Sequence, residues 1–336
     1  MKRLRDILGQ ESAVDSLRRA MATDRLGHGL IFTGPSGVGK ATTAAALSAW
    51  FLCEKPGESD SCGKCESCRA VAALAHPDYH IITKELARVH DKSGTSKATA
   101  LAINVVRYEL AAKAAQKSVL GRGKVFIVEE AHLMTPAAQN ALLKTLEEPA
   151  GRTLIILLTD HLDDLLPTVR SRCQLVRFGR LENAIVQKEL LARGIEKEIA
   201  AAATELADGS LGLALRWIED ELLKSVQAVA EEVDAVMAGR SAFDLIEVVK
   251  KSAEAQVERL LKRDELTSKD AAMRSSLGDY LSIAAQRLRH RLTETEDPEA
   301  LEQNCRAIDA LAQAEKYLAA NVNVSLVLEQ LGMSIR

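Results

Sequence analysis

Residues 34–40 read Gly-Pro-Ser-Gly-Val-Gly-Lys, with Gly34 four residues ahead of the Gly39-Lys40 pair. Glycines at that spacing let backbone N–H groups converge on phosphate oxygens, and the lysine reaches the outer phosphates. The stretch follows the apolar run 29–33 and opens a helical one, so a helix N-terminus adds positive potential to the loop. Gly34, Pro35, Ser36, Gly37, Val38, Gly39 and Lys40 therefore form a nucleotide-phosphate loop. The next position departs from the pattern. A hydroxyl normally stands there to ligate magnesium, and this chain has Ala41. Thr42 is no simple substitute, because one step along a helix turns a side chain by about 100° and moves it about 1.5 Å.

A second magnesium contact is expected at the end of a neighbouring strand, where "VFIVEEAH" is the candidate. Glu129 stands where an aspartate normally holds the metal, and Glu130 stands where a glutamate activates water. Glu129 reaches one methylene further than aspartate, and magnesium tolerates little departure from its octahedron. Two independent departures fall on the metal, whereas the glycines and Lys40 remain. The expectation is lost hydrolysis, with ATP or ADP left as an open ligand of residues 34–40, Thr42 and Glu129. The plainer alternative for Glu129 and Glu130 is a surface-facing acidic pair.

Cys53, Cys62, Cys65 and Cys68 are separated by eight, two and two residues. Four thiolates so close in sequence can surround a tetrahedral zinc ion, and a closed four-cysteine shell is structural rather than catalytic. A redox reading would use one Cys-x-x-Cys pair and leave the other thiols unexplained. Unliganded thiols are the third reading. Cys173 and Cys305 are isolated and read as packing residues.

The elements that must position these groups are strands at 29–34, 78–83, 124–130, 153–160 and 174–178, alternating with helical stretches. Alternation of this kind gives a parallel sheet covered by helices. Thr135 caps the helix that Pro136 starts and Pro149 ends. After residue 180 the strands stop. A small helical unit follows with a glycine break at 208–212, then long helices from about 220, including one pattern over 301–331. The segment 89–100 is polar and reads as a surface loop. A chain of 336 residues makes two or three domains of roughly 100–200 residues each. The net charge of −3 argues against a generally basic nucleic-acid binder. No apolar run spans a membrane and the N-terminus lacks a signal-peptide core, so a cytoplasmic protein with reduced cysteines is expected.

"ILGQ" (7–10), "GLIFTGPSGVGK" (29–40), the four cysteines, "HPD" (76–78), "NALLKTLEEP" (140–149) and "PTVRSRCQ" (167–174) occur in this order. The combination resembles bacterial clamp-loader subunits of the AAA+ superfamily, strongly over residues 6–216. The resemblance implies an α/β P-loop AAA+ domain with a parallel sheet (1–178) carrying an inserted four-cysteine zinc module (53–68). An all-α lid (179–218) and an all-α C-terminal collar domain (219–336) for oligomerisation would follow. It further implies that Ser171, Arg172 and Cys173 form the motif presenting an arginine finger, Arg172, to ATP held by a neighbouring subunit. The plainer reading of Arg172 is an ion-paired arginine beside the last strand.

Partners implied in the same way are clamp-loader subunits of gamma/tau and delta type, the sliding clamp, and primed DNA through the assembly. The chain would be a component of a replicative DNA polymerase holoenzyme and not an active ATPase alone. The hydrolysing members carry Gly-Ser-x-Arg-Asp-Ala-Leu in the lid, and here Gly212 and Leu213 replace the Arg-Asp pair. The alternative is an ATP-hydrolysing gamma/tau-type subunit or another AAA+ motor. His28, His80 and His132 read as structural. The basic stripe 286–292 offers a DNA-facing reading but reads better as a solvated helix face, and "KRLR" at the N-terminus is equally undiagnostic.

Overall fold

The computed structural model describes residues 2–90, 100–263, 268–320 and 322–335. Most of the expected polar loop 89–100 lies outside the described residues. The chain divides into two compact units, one of residues 1–186 with 209–212, the other of 187–208 with 213–336.

The first unit is built on β1 (Gly29–Thr33), β2 (Tyr79–Ile82), β3 (Lys124–Val128), β4 (Thr153–Thr159) and β5 (Gln174–Arg177), all parallel, in the order β2-β3-β4-β1-β5. All five match the runs read from sequence. The residues of β1, β3 and β4 are almost all buried, as strands covered on both faces must be. Alternate residues feed two cores. Phe32, Val125, Ile127, Leu154 and Ile156 pack on one face with α1 (Glu11–Ala22) and α2 (Lys40–Leu52). Ile31, Phe126, Val128, Ile155 and Leu157 pack on the other.

The remaining helices of this unit are α3 (Glu66–Ala72), α4 (Leu86–His90), α5 (Ile103–Val105), α6 (Ala112–Ala115), α7 (Pro136–Glu147) and α8 (Pro167–Arg170). Between α5 and α6 the helical run is wound as a π-helix over Val106–Ala111, which periodicity does not reveal. The Thr135 side chain accepts from the Ala138 N–H at 3.2 Å, so α7 starts where its punctuation says.

The second unit holds α10 (Lys197–Ala207), α12 (Leu223–Met237), α13 (Ala242–Arg263), α14 (Lys269–Glu294), α15 (Pro298–Ala319) and α16 (Val324–Ser334). Two further helices, α9 (Asn183–Ala192) and α11 (Leu211–Glu219), straddle the division. Leu277, Leu281, Ala284 and Leu288 form one buried stripe along α14 at helical spacing. The single pattern read over 301–331 is two helices. Asn323 breaks it by capping α16, accepting from the N–H groups of Ser325 and Leu326. Cys305 is exposed, not packed; its neighbour Asn304 is the buried residue at this point of α15.

The basic stripe at 286–292 is neither free nor merely solvated. Arg287 donates from Nε and Nη2 to Asp234 at 3.1 and 2.7 Å, and Arg291 adds 3.0 Å, which clamps α14 to α12. Burial opposes the Asp234 charge, but the two arginines offset it and hold this carboxyl below its ordinary 3.8. A carboxyl with a lowered native pKa stabilises the fold above its unfolded value, and the contribution is lost as pH falls through the native value. Asp234→Asn is expected to melt below wild type at pH 7. The gap should close as pH drops below about 3.9, the ordinary aspartate range. Thermal melts of both chains across pH 2–7 check this, and a gap that persists at the acid end counts against the clamp.

Candidate functional site

The phosphate loop turns back against β5. Gly34 has φ +148°, and a Cβ there would lie 2.2 Å from the Phe178 carbonyl oxygen, so only glycine fits. Gly39 caps α2 at φ +109°. Gln10, of the "ILGQ" stretch, is buried and ties the loop to the sheet. Its Nε2 donates to the Val38 and Gly179 carbonyls at 3.2 and 2.7 Å, and its Oε1 accepts from the Gly179 N–H. Sequence reasoning quoted this glutamine without assigning it a task.

Lys40 is 7% exposed. Its ammonium donates to the Gly34 and Pro35 carbonyls at 2.7 and 2.5 Å and pairs with Asp160 at 2.8 Å. Asp160 follows β4 directly and was not singled out from sequence. The lysine of such a loop reaches the outer phosphates of a nucleotide, and here the same ammonium is paired with this carboxylate. Ala41 and Thr42 are both exposed. The buried hydroxyl in this turn is that of Thr43, which donates to the Gly39 carbonyl at 2.9 Å.

Glu129 and Glu130 are not among the partners of Lys40 within the described residues. Burial, then the charges of Glu130 and Glu85, raise the Glu129 carboxyl above its ordinary range. Glu130 is in the left-handed region at φ +46° and is held by Lys84 at 3.0 Å.

A turn of the same unit closes the loop from outside. The Ser210 hydroxyl donates to the Ser36 carbonyl at 2.8 Å, and the Gly212 N–H donates to the Gly37 carbonyl at 2.9 Å. A Cβ on Gly212 would lie 2.7 Å from the Gly37 Cα. Gly212 is the position that carries arginine in the hydrolysing lid pattern. Here the backbones are in contact and no side chain fits between them.

The four cysteines meet as the spacing requires. Their sulfurs all lie within 4.8 Å of one another, with Cys53–Cys65 at 3.9 Å and Cys62–Cys68 at 4.0 Å. A tetrahedron of about 2.3 Å metal–sulfur bonds has edges of about 3.8 Å, so the set fits one metal ion with little adjustment. Cys53 caps the end of α2, and Cys65 caps α3 by accepting from the Cys68 N–H. Backbone N–H groups, that of Lys64 first, bring the Cys62 thiol down to about 6, while burial pushes Cys53 and Cys68 up. The shell around the set is built too: Ser67 bonds the Leu52 carbonyl, and Arg122 bonds the carbonyls of Cys53 and Glu54. The N-terminal basic stretch is docked here, with the Arg5 N–H on Asp60 and the Arg3 guanidinium against Gly63.

Ser171, Arg172 and Cys173 follow α8. Arg172 donates from Nε to Glu147 at 2.7 Å, pairs with it through Nη2 at 2.5 Å, and donates from Nη1 to the Thr168 carbonyl at 3.0 Å. Its side chain is 35% exposed. Burial drives the Cys173 thiol up to about 12, which disfavours the reactive thiolate, and its side chain packs half-buried against the core. Arg170 pairs with Asp163 instead. The histidines have structural partners: the ring of His28 bonds the Leu146 carbonyl, His80 stacks on Phe126, and His132 meets Thr159.

Residues 9–182 match the family model described as DNA polymerase III, delta subunit. The chain is 36% identical over 179 residues to the DNA polymerase III subunit delta' of Pseudomonas aeruginosa, covering 53% of this chain and 51% of that one. It is 38% identical over 195 residues to the delta' subunit of Escherichia coli K12, covering 58% and 55%. A DNA polymerase III subunit gamma/tau of Mycobacterium bovis is 34% identical over 193 residues, 57% of this chain and 31% of that one. The matched region spans about half the length of the delta' relatives. Among the described residues no helix is long and apolar enough to cross a membrane.

Two outcomes are expected from this geometry. Metal analysis of chain purified under reducing, chelator-free conditions should find about one tetrahedral metal ion per chain. Removing it, or Cys65→Ser, should speed hydrogen exchange over 53–72 while β3 and β4 stay protected; a metal-free chain with 53–72 already protected overturns the site. Gly212→Ala should cost about 1–3 kcal/mol in urea unfolding, the usual range for forcing extra atoms into a packed contact. An unchanged midpoint would mean that the turn does not close on the loop.

Proposed function

The chain belongs to the DNA polymerase III delta-subunit family, with delta-prime subunits among its matched relatives, and from that premise we propose that it is a non-hydrolysing subunit of the clamp loader. In this reading residues 1–178 form the AAA+ domain, 179–218 the lid and 219–336 a collar through which the chain joins gamma/tau- and delta-type subunits. The assembly would set the sliding clamp on primed DNA in the cytoplasm. Zinc held by Cys53, Cys62, Cys65 and Cys68 would be structural, fixing the 53–68 excursion. Nucleotide, if taken up at residues 34–40, would be bound passively.

The observation that carries the reading is the state of Lys40. Its charge is satisfied by Asp160 and by the loop's own carbonyls, and the metal hydroxyl beside it is replaced by Ala41. A triphosphate would have to displace a carboxylate without gaining the usual magnesium contact. The contribution to chemistry would be Arg172, acting in trans on charge developing at a transferred phosphoryl group. Ser171 and Cys173 would set its place in the chain.

The test has two arms. The isolated chain should hydrolyse ATP far below the usual enzyme range of about 1–10³ s⁻¹. Turnover within that range, free of contaminating subunits, would favour a gamma/tau-type role. In the assembled loader, Arg172→Ala should lower ATPase stimulated by clamp and primed DNA. A finger supplies about 10³–10⁵ at one site, so total turnover over several sites falls only in part. Arg172→Lys should not restore it, because an ammonium lacks the planar fork. Arg170→Ala should do less, since Arg170 is occupied by Asp163.

A further inference from the structure

We infer that Glu147 is a positioning residue for Arg172, fixing the guanidinium before any neighbour arrives; the inference rests on the finger reading above. Glu147 is the last residue of α7, and Arg172 lies just past α8. The two meet because the residues beside them are driven to one buried point. Gly29 opens β1, and a Cβ there would lie 2.9 Å from the Leu146 Cδ2 and 3.0 Å from the Cys173 sulfur. Leu146 is 1% exposed, so this end of α7 is anchored in the core. The glycine lets Leu146 and Cys173 converge, and their chain neighbours Glu147 and Arg172 emerge side by side.

The pairing uses all three guanidinium nitrogens. Nε and Nη2 share one Glu147 oxygen, and Nη1 takes the Thr168 carbonyl, with the Ser171 hydroxyl at 3.4 Å. Five N–H groups are available on an arginine. Two go to Glu147 and one to Thr168, so at least one proton of Nη2 remains for an incoming oxygen. A free arginine would lose its rotamer freedom at the moment of engagement, and here much of that loss is already met within the chain. The helix end gives a separate reason for the carboxylate to be held. An acidic side chain at a helix C-terminus faces the negative end of the dipole and needs a cation close by.

The experiment compares stimulated ATPase of the assembled loader carrying Glu147→Ala, Glu147→Gln, Arg172→Ala, or Glu147→Ala with Arg172→Ala. Glu147→Ala should slow the one site that Arg172 faces by about three- to tenfold, the scale of one immobilised long side chain, so total turnover falls by less than in Arg172→Ala, with KM for ATP within about twofold. Glu147→Gln, which keeps the acceptor oxygen without the charge, should fall between. Adding Glu147→Ala to Arg172→Ala should cost nothing more. Wild-type kcat in Glu147→Ala beside a loss in Arg172→Ala overturns the positioning role, as does a further loss in the double variant. Unchanged turnover in Arg172→Ala overturns the finger reading itself and this inference with it. In the isolated, folded chain, the Arg172 Nε–H should exchange with solvent more slowly in wild type than in Glu147→Ala; equal rates also count against the proposal.

Discussion

A lysine ammonium enclosed at the end of a sheet must have an anionic partner, and the choice of partner organises this site. Removing a charge from water costs several kcal/mol unless it is paired and hydrogen-bonded (about 2–7 even for neutral polar groups). In a loop that works on nucleotide the phosphates meet that need. Here Asp160 and two carbonyls of the loop do so, with Lys40 almost fully enclosed. Once the chain supplies its own partner, the loop keeps its shape without ligand. The carbonyls of Ser36 and Gly37 can be spent on Ser210 and Gly212. Retention of Lys40 is therefore no sign of retained hydrolysis, because the side chain has a structural task.

The second fixed point lies at the other end of the same helix. Helix α2 begins at Lys40 and runs to Leu52, with Cys53 as its cap, a rod of about 20 Å at 1.5 Å per residue. One end is set by the phosphate loop and the other by the four-sulfur cluster. Between them Ala44, Leu47 and Trp50 are buried in the core of that face. The weak amphipathicity of "ATTAAALSAWFL" follows from this, since the helix is covered on most sides. The 53–68 excursion has too few apolar residues to hold itself against the loss of chain entropy. A metal ion is the simplest way to fix so polar a stretch.

The sheet was legible because its inner strands β1, β3 and β4 are almost wholly buried and read as unbroken apolar runs, from "GLIFT" to "TLIILLT". Helix α7 was legible from Thr135 and Pro136, and the cysteine set from spacing alone. What escaped has a common cause. Asp160, Gln10, Ser210 and Glu147 act through partners 25 to 174 positions away in the chain, and nothing local marks an aspartate after a strand or a glutamate at a helix end. The π-helical turn over 106–111 shares its composition with α-helix, so periodicity passes over it. The basic stripe at 286–292 misled for the opposite reason, since charge pattern was visible but Asp234 was not. Gly212 stood out only as a missing arginine. Its positive task, permitting backbone contact with Gly37, needed coordinates.

Arg172 joins these points. Exposed ion pairs contribute little to stability, commonly about 0–1 kcal/mol, so a fork made from three nitrogens of a one-third exposed arginine is poorly explained as a stabilising device. Its geometry is better matched to orientation. The guanidinium is held by Glu147 along its Nε–Nη2 edge and by the Thr168 carbonyl at Nη1, while the next residue, Cys173, is half-buried. The same division appears at the phosphate loop, where groups that would meet ligand are held by the chain itself. In one place the carboxylate of Asp160 engages the Lys40 ammonium directly. In the other the arrangement leaves a proton of Nη2 uncommitted, because Glu147 occupies one edge of the fork and not its tip.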